Sequence, residues 1–241
     1  MQQLFGNAHY QFPMYKYIID KLKQYPECVY EYFQQVEQKC KQHGVKLKVV
    51  KRDYIPTPDK RDIGVGGFFD ETSAILGVSI GCDDVHGILG VLLHEESHMD
   101  QWIEKDSIWH NQSATKKINA FWEWLYNPEY KIPKKFGTVD KCCTACIDLE
   151  IDCELRAIKK FKKYFPEIFD NDRYIKSCNA YFYFIRYMTI IRGWPNISPF
   201  DVEELLEVCS SRLKSDYLII PSKIKEVLDK YYGQQFTKSI G

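Results

Sequence analysis

Apolar and aromatic side chains recur at helical spacing through residues 14–42, the first segment with a clear pattern. The positions that carry this spacing are Tyr15, Ile18, Ile19, Leu22, Val29, Phe33 and Val36. Because such a stripe buries one face of a helix, the pattern predicts an N-terminal helix over 14–42, with Pro26 as the point where a break would fall. His43 and Gly44 provide the stop.

Alternation of polar and apolar residues then replaces the helical period. Residues 46–51 read Lys-Leu-Lys-Val-Val-Lys, which predicts a strand that ends before Pro56 and Pro58. Two further extended segments are predicted at 67–70 and 74–80, with a turn-like Asp-Glu-Thr-Ser between them. We therefore expect a small antiparallel sheet.

Helical spacing returns after this sheet and continues towards the C-terminus. Cys82-Asp83-Asp84 offers an N-cap for a central helix that runs to about residue 104. The later segments with helical spacing are 116–125, 139–164, 172–192, 199–213 and 222–232. The predicted fold class is α+β and mainly helical, with the small antiparallel sheet packed on the central helix and further helices after it.

Length and composition favour one domain with some additions. A chain of 241 residues that is 45% hydrophobic and 15% aromatic can bury one large core. We expect a single domain over 1–241. Its parts are the N-terminal helix 14–42, the sheet and central helix 46–104, an insertion 105–138 and a helical part 139–232.

Charge and hydropathy restrict the classes of partner. Lys plus Arg (33) equals Asp plus Glu (33), so no net field attracts nucleic acid or an anionic membrane. The N-terminus lacks the regions of a secretory signal, and the apolar runs are too short to span a bilayer. The nine cysteines are odd in number and four crowd into 139–164, which is typical of reduced thiols. We expect a cytoplasmic protein with neither membrane nor nucleic acid as partner.

The central helix contains the run His94-Glu95-Glu96-Ser97-His98. Two histidines four residues apart project from the same face of a helix, so both imidazoles can reach one tetrahedral ion. Glu95 then leans beside the ion, where a carboxylate can act as a general base. Because the run lies in an amphipathic helix directly after a strand, we favour a zinc site over a chance match on a solvated face.

A catalytic zinc site usually has three protein ligands, so a third is expected elsewhere in the chain. Within 139–164, Glu150 lies on the apolar stripe, three positions after Ile147 and three before Cys153. A buried carboxylate costs on the order of several kcal/mol unless a cation neutralises it, and zinc is such a cation. The alternative is that Glu150 and Glu154 pair with nearby basic residues on a partly wet face.

These two segments together resemble the gluzincin metallopeptidases. The histidine motif is followed, about fifty residues later, by Glu150-Ile-Asp-Cys-Glu154 on a predicted helix. In that group the first acid of such a helix completes the zinc site and the second orients a metal-binding histidine. The resemblance implies that Glu150 is the third zinc ligand and that Glu154 accepts an imidazole N–H. It covers about 74–157, a stretch that is also similar to small phage and bacterial metallopeptidases, although better-known families have Asp where Glu154 stands.

The implied protein is a zincin-like, zinc-dependent hydrolase that cleaves a peptide or protein substrate through an activated water, with Glu95 as general base. A peptide could pair with 74–80 if that strand is the free edge of the sheet. Two alternatives stay open: a fold-sharing metal-binding protein without turnover that serves as a partner-binding or structural module, and a nucleic-acid-associated metalloprotease.

The candidates for oxyanion stabilisation are Tyr181, Tyr183, Tyr187 and His110. A structural zinc site at Cys142, Cys143 and Cys146 would need a second pair of ligands at similar spacing elsewhere in the sequence, and none is found. We therefore interpret these three cysteines as packing groups.

Overall fold

The computed structural model describes residues 13–57 and 64–233, with side chains described from Ile18 onward. The N-terminal segment before Pro13, the side chain of Tyr15 and Pro58, on which sequence predictions were made, lie outside these residues. The described chain is mainly helical with a small sheet, so the α+β class is confirmed. Its contacts group it into two compact units, Met1–Met99 and Asp100–Gly241. The single domain expected from the sequence stays a prediction.

The first unit begins with two helices where the pattern predicted one segment. These are α1 (Pro13–Leu22) and α2 (Glu27–Gln42), and the break falls at Pro26, which is the N-cap residue of α2. A proline at this place cannot donate a helical hydrogen bond, so it separates the two helices. The buried side chains of α2 are Val29, Tyr32, Phe33, Val36 and Cys40.

Five short strands follow in the described part of the first unit. A three-stranded sheet contains β1 (Lys46–Val50), β4 (Gly67–Asp70) and β5 (Ile75–Ser79), in the order β1-β5-β4. A separate antiparallel pair is formed by β2 (Ile55–Pro56) and β3 (Gly64–Val65), which the sequence did not predict.

The three-stranded sheet is mixed, so the prediction of an antiparallel sheet is wrong for one of its two pairs. β5 runs antiparallel to β4 but parallel to β1, with Lys46 opposite Ile75. A parallel pair needs a connection of about a dozen residues or more, and the segment 51–74 supplies one. Consequently β5 is the central strand, and β4 is an edge strand within the described sheet.

The histidine motif lies on α3 (Val85–Ile103), which begins where the N-cap was predicted. The carboxylate of Asp84 accepts hydrogen bonds from the backbone N–H groups of His86, at 3.1 Å, and Gly87, at 2.9 Å. The fully buried apolar side chains of this helix are Ile88, Leu89, Leu92, Leu93 and Met99. The division between the two units falls inside α3, so its last turn belongs to the second unit.

The regular secondary structure of the described part of the second unit is helical. After the last turn of α3, the helices are α4 (Ser107–His110), α5 (Gln112–Tyr126), α6 (Val139–Tyr164), α7 (Asn171–Ile191), α8 (Glu203–Val208) and α9 (Ser222–Leu228). The long helix predicted over 139–164 is confirmed. None of the described helices is both long enough and apolar enough to cross a membrane.

One predicted helix is much shorter than its pattern. The segment 199–213 contains a 3-10 turn at Pro199–Asp201 and then α8, which stops at Val208. Ser210 Oγ accepts a hydrogen bond from the backbone N–H of Arg212 at 3.0 Å. Because this local bond competes with helical bonding, the chain leaves the helix although its apolar spacing continues.

A buried arginine joins three segments of the second unit. Arg186 of α7 is 4% exposed and donates to Asp140 Oδ1 at 3.2 Å and Thr144 Oγ1 at 2.8 Å, both on α6. It also donates to the backbone oxygen of Tyr217 at 3.2 Å. The several acceptors offset the cost of burying the guanidinium charge, so this residue fixes α6 and α7 to the segment before α9.

Candidate metal centre

His94 and His98 lie one turn apart on α3, as the motif predicts. Their ring centroids are 4.7 Å apart and the ring planes are at 89°. His98 is 7% exposed, and His94 is half-buried. Nitrogen ligands of a tetrahedral zinc ion, at bond lengths of about 2.0–2.1 Å, lie roughly 3.3 Å from each other. Two rings at this separation fit such a pair of ligands.

Glu95, the predicted general base, is half-buried and lies against the edge strand β4. A Cβ atom added to Gly67 would stand 2.8 Å from Glu95 Cγ and 2.5 Å from Val91 Cγ1. Only a glycine lets the strand approach α3 so closely. Gly67 was not predicted as part of the site, although a strand interrupted by glycines is a signal of close backbone approach.

The edge of the sheet that borders Glu95 is β4 and not the segment predicted from the sequence. β5 is hydrogen-bonded on both sides, so the condition under which a peptide could pair with 74–80, that this strand is a free edge, is not met. The backbone oxygen of Gly66 accepts from the N–H of Ser79 at 2.8 Å. Because successive residues of an antiparallel strand alternate in direction, the N–H and C=O of Gly67 face away from β5.

The neighbouring Glu96 is directed to α2 instead. It is 4% exposed, accepts a hydrogen bond from Tyr32 Oη at 2.6 Å and pairs with Lys39 Nζ at 2.6 Å. Burial, together with the nearby Glu96 charge, raises the pKa of the Cys40 thiol on α2 to about 12. Two adjacent glutamates of the motif therefore have different surroundings, which the sequence did not predict because α2 is distant along the chain.

Glu150, Cys153 and Glu154 lie in the middle of α6, in the second unit. Cys153 is 0% exposed and Glu154 is 7% exposed, whereas Glu150 is half-buried. Tyr174 Oη donates to Glu154 Oε2 at 2.6 Å. Burial and the Glu154 carboxylate raise the pKa of Tyr174 well above its usual range, so this hydroxyl stays a donor. The roles predicted for Glu150 as a zinc ligand and for Glu154 as an imidazole acceptor stay predictions.

The last turn of α3 is held on α6 within the second unit. Gln101 is fully buried, and its Nε2 donates to the backbone oxygen of Leu149 at 3.3 Å and to Asp152 Oδ2 at 2.8 Å. Lys160 of α6 also pairs with Asp100 at 2.8 Å. Gln101 was not predicted, and its signal in the sequence was a long polar residue among apolar neighbours.

The principal basic residue of α6 binds acids other than the two glutamates. Arg156 pairs with three carboxylates at 2.5 to 2.8 Å, and these belong to Glu104, Asp106 and Asp152. Glu104 comes directly after α3 and Asp106 is the N-cap residue of α4. Arg156 therefore ties the short loop between these two helices to α6. For Arg156, these contacts therefore do not favour the alternative in which Glu150 and Glu154 pair with nearby basic residues.

The other residues weighed from the sequence have structural contacts. Tyr183 and Tyr187 are 1% exposed, and Tyr187 Oη donates to Asp229 at 2.7 Å, so both belong to the core. His110 Nε2 lies 3.0 Å from the backbone oxygen of Trp102. The predicted packing cysteines Cys142, Cys143 and Cys146 are buried free thiols, as expected. Burial raises the pKa of Cys143 to about 12.

No protein-family model, no curated protein and no solved structure matches the chain. The resemblance to gluzincins is therefore carried by the motifs themselves. Within the first unit, His94 and His98 can each supply an imidazole nitrogen to one metal ion. Imidazole nitrogens are common zinc ligands.

Proposed function

We propose that the chain is a zinc-dependent metallopeptidase of zincin-like architecture. The observation that carries the proposal is the pair of imidazoles of His94 and His98, 4.7 Å apart on a helix whose intervening Glu95 lies against an edge strand. A metal-ligand pair, a carboxylate and a strand edge are the parts that metal-assisted peptide hydrolysis needs. The third ligand comes from α6, where the sequence places Glu150.

Glu95 is the general base of the proposed reaction. Zinc, when bound, lowers the pKa of a coordinated water to about 7 and polarises the substrate carbonyl. Glu95 takes a proton from the attacking water and delivers it to the leaving amine. Its contact with Gly67 restricts where the carboxylate can lie. Glu96 cannot exchange roles with it, because Tyr32 and Lys39 hold that carboxylate on α2.

The substrate of the proposed enzyme is an extended peptide that adds to β4. Backbone hydrogen bonds to an edge strand give affinity with little demand on side-chain identity. Gly67 supports this arrangement, because its backbone N–H and C=O face away from β5 and it lies against Glu95. A peptide aligned on this strand brings a carbonyl near the general base.

The test is hydrolysis of a mixed peptide library and of an unfolded protein, measured with and without zinc. We expect cleavage that stops on chelation and returns when zinc is added back. The Glu95→Gln variant should still bind zinc but cleave about 10²-fold to 10⁴-fold more slowly. Zinc binding without any cleavage by the unaltered protein would instead support the metal-binding module without turnover.

A further inference from the structure

We propose that Tyr54 binds an aromatic side chain of the substrate peptide, about three residues from the bond that is cleaved. The proposal rests on the proposed peptidase function, and it specifies the substrate class as peptides with an aromatic residue at that distance. Tyr54 directly precedes β2 and is 56% exposed. Among the described side chains of the first unit, it is the only large hydrophobic one that is exposed.

Tyr54 lies on the side of the strands that faces α3. In the β2–β3 pair, Pro56 is opposite Gly64, so the same register brings Tyr54 opposite Gly66. Directly opposed residues of an antiparallel pair have their side chains on the same face. A Cβ atom added to Gly66 would stand 3.1 Å from Val91 Cγ2, which is on α3 one turn before the general base. Tyr54 and the general base are therefore on the same side of the strands.

The ring of Tyr54 lies across β3 at Gly64. A Cβ atom added to Gly64 would stand 2.6 Å from Tyr54 Cγ, so the ring takes the place of a side chain on that strand. Only a glycine permits this approach. Gly64 is itself exposed, so the ring covers a strand at the protein surface. A peptide that continues along β3 would therefore contact the ring.

The strand run that carries Gly67 extends to this ring. β3 and β4 are separated only by Gly66, and they pair with β2 and β5, respectively. Both partners are on the same side of the run, because Ile55 Cδ1 of β2 lies 3.0 Å from the place of a Cβ atom on Gly77 of β5. The opposite side is therefore continuous along the described residues of β3 and β4, and one extended peptide can follow both.

Spacing and charge define the substrate residue that meets Tyr54. Gly64 is three residues from Gly67, which is about 10 Å in an extended chain. A peptide with a carbonyl near the general base thus places a side chain three residues away beside the ring. Lys51 and Arg52 are exposed and shortly precede Tyr54, so they disfavour a cationic side chain. An aromatic side chain fits, because two aromatic rings attract each other in stacked or edge-to-face arrangements.

Peptide binding to the metal-free, full-length protein tests the proposal without turnover. The probes are fluorescein-labelled peptides of alanine and glutamine, with or without one central phenylalanine, measured by fluorescence anisotropy. We expect phenylalanine to tighten binding about threefold to tenfold in the unaltered protein and in Tyr54→Phe, and to have no effect in Tyr54→Ala. Tyr126→Ala, at an exposed tyrosine of α5, is the matched control and should keep the difference.

The binding data overturn the proposal in either of two cases. In the first, the unaltered protein shows no preference for phenylalanine. In the second, Tyr54→Ala weakens both peptides equally and keeps the preference, which would mean that the ring only stabilises β3.

The position of the cleaved bond is a second readout. We expect mass spectrometry to locate cleavage by the zinc-loaded protein about three residues from the phenylalanine, and at several bonds in Tyr54→Ala. Cleavage at positions unrelated to the phenylalanine would overturn the assignment of Tyr54 and leave the peptidase standing. Selective binding without any cleavage would overturn the peptidase, while the peptide-binding role of Tyr54 would stand.

Discussion

Gly67 of β4 lies so close to Glu95 of α3 that a Cβ atom on Gly67 would stand 2.8 Å from Glu95 Cγ. An alanine there forces the strand or the glutamate to move. Since a displacement of about 1 Å can cost about 10²-fold in rate, we expect Gly67→Ala to lower kcat/KM by about that factor. The clash with Val91 Cγ1, at 2.5 Å, should also lower the melting temperature.

Gly66→Ala is the control for this effect. Its Cβ would meet Val91 Cγ2 at 3.1 Å and would not reach Glu95 within 4 Å. We expect a small loss of stability with kcat/KM close to that of the unaltered protein. Steady-state kinetics and thermal unfolding by circular dichroism measure both. Equal losses of kcat/KM in the two alanine variants would show that Gly67 does not position the base.

Substitutions of the two adjacent glutamates of the motif should have separate effects, one on stability and the other on turnover. Glu96→Gln removes the ion pair with Lys39 in a buried position and keeps an acceptor for Tyr32. We expect it to lower the free energy of unfolding by about 1–3 kcal/mol and to leave kcat nearly unchanged. Glu95→Gln should lower kcat and leave the free energy of unfolding nearly unchanged. Urea unfolding and kcat measured in parallel decide this, and a stable Glu96→Gln protein without turnover would contradict it.

The sequence predicted the helices well where one stripe of apolar residues determined their burial. The segment 139–164 is an example, because its regular apolar spacing identifies the helix and the side chain of Thr138 caps its start. Strand pairing was harder. The alternation in β1 identifies a strand, but nothing in it specifies that β5 will be its parallel partner, since that choice depends on the whole connection 51–74.

The candidate site was predictable to the extent that it is local. Helical periodicity alone places His94, Glu95 and His98 together, and the rings are in contact as expected. The separation of Glu95 from Glu96 was not predictable, because it depends on Tyr32 and Lys39, more than fifty positions earlier.

The proposed binding of an extended peptide on β4 can be tested from the substrate's side. In an added strand, every second backbone N–H of the peptide is directed to the protein. We expect N-methylation at alternate positions of a good peptide substrate to raise KM, while methylation at the positions between them has little effect. The neighbouring positions serve as controls within one series. A uniform response along the peptide would contradict pairing with the strand.

Arg186 should matter for stability and not for the zinc centre. Arg186→Met removes donors to Asp140, Thr144 and Tyr217, so we expect the free energy of unfolding to fall by about 2–3 kcal/mol. Arg186→Lys should recover little, because one ammonium cannot reproduce the geometry of the guanidinium. Urea unfolding measures both variants. Full stability of Arg186→Met would show that these hydrogen bonds contribute nothing, and full stability of Arg186→Lys would show that an ammonium can replace the guanidinium.

Calorimetric titration of the metal-free, folded protein with zinc is the sharpest test of the proposed metal site. We expect saturable binding at a ratio of one ion per chain, unchanged in Glu95→Gln and lost in both His94→Ala and His98→Ala. Variants that remain folded by circular dichroism, yet bind zinc as the unaltered protein does, would contradict it. So would an unaltered, folded protein that takes up no zinc.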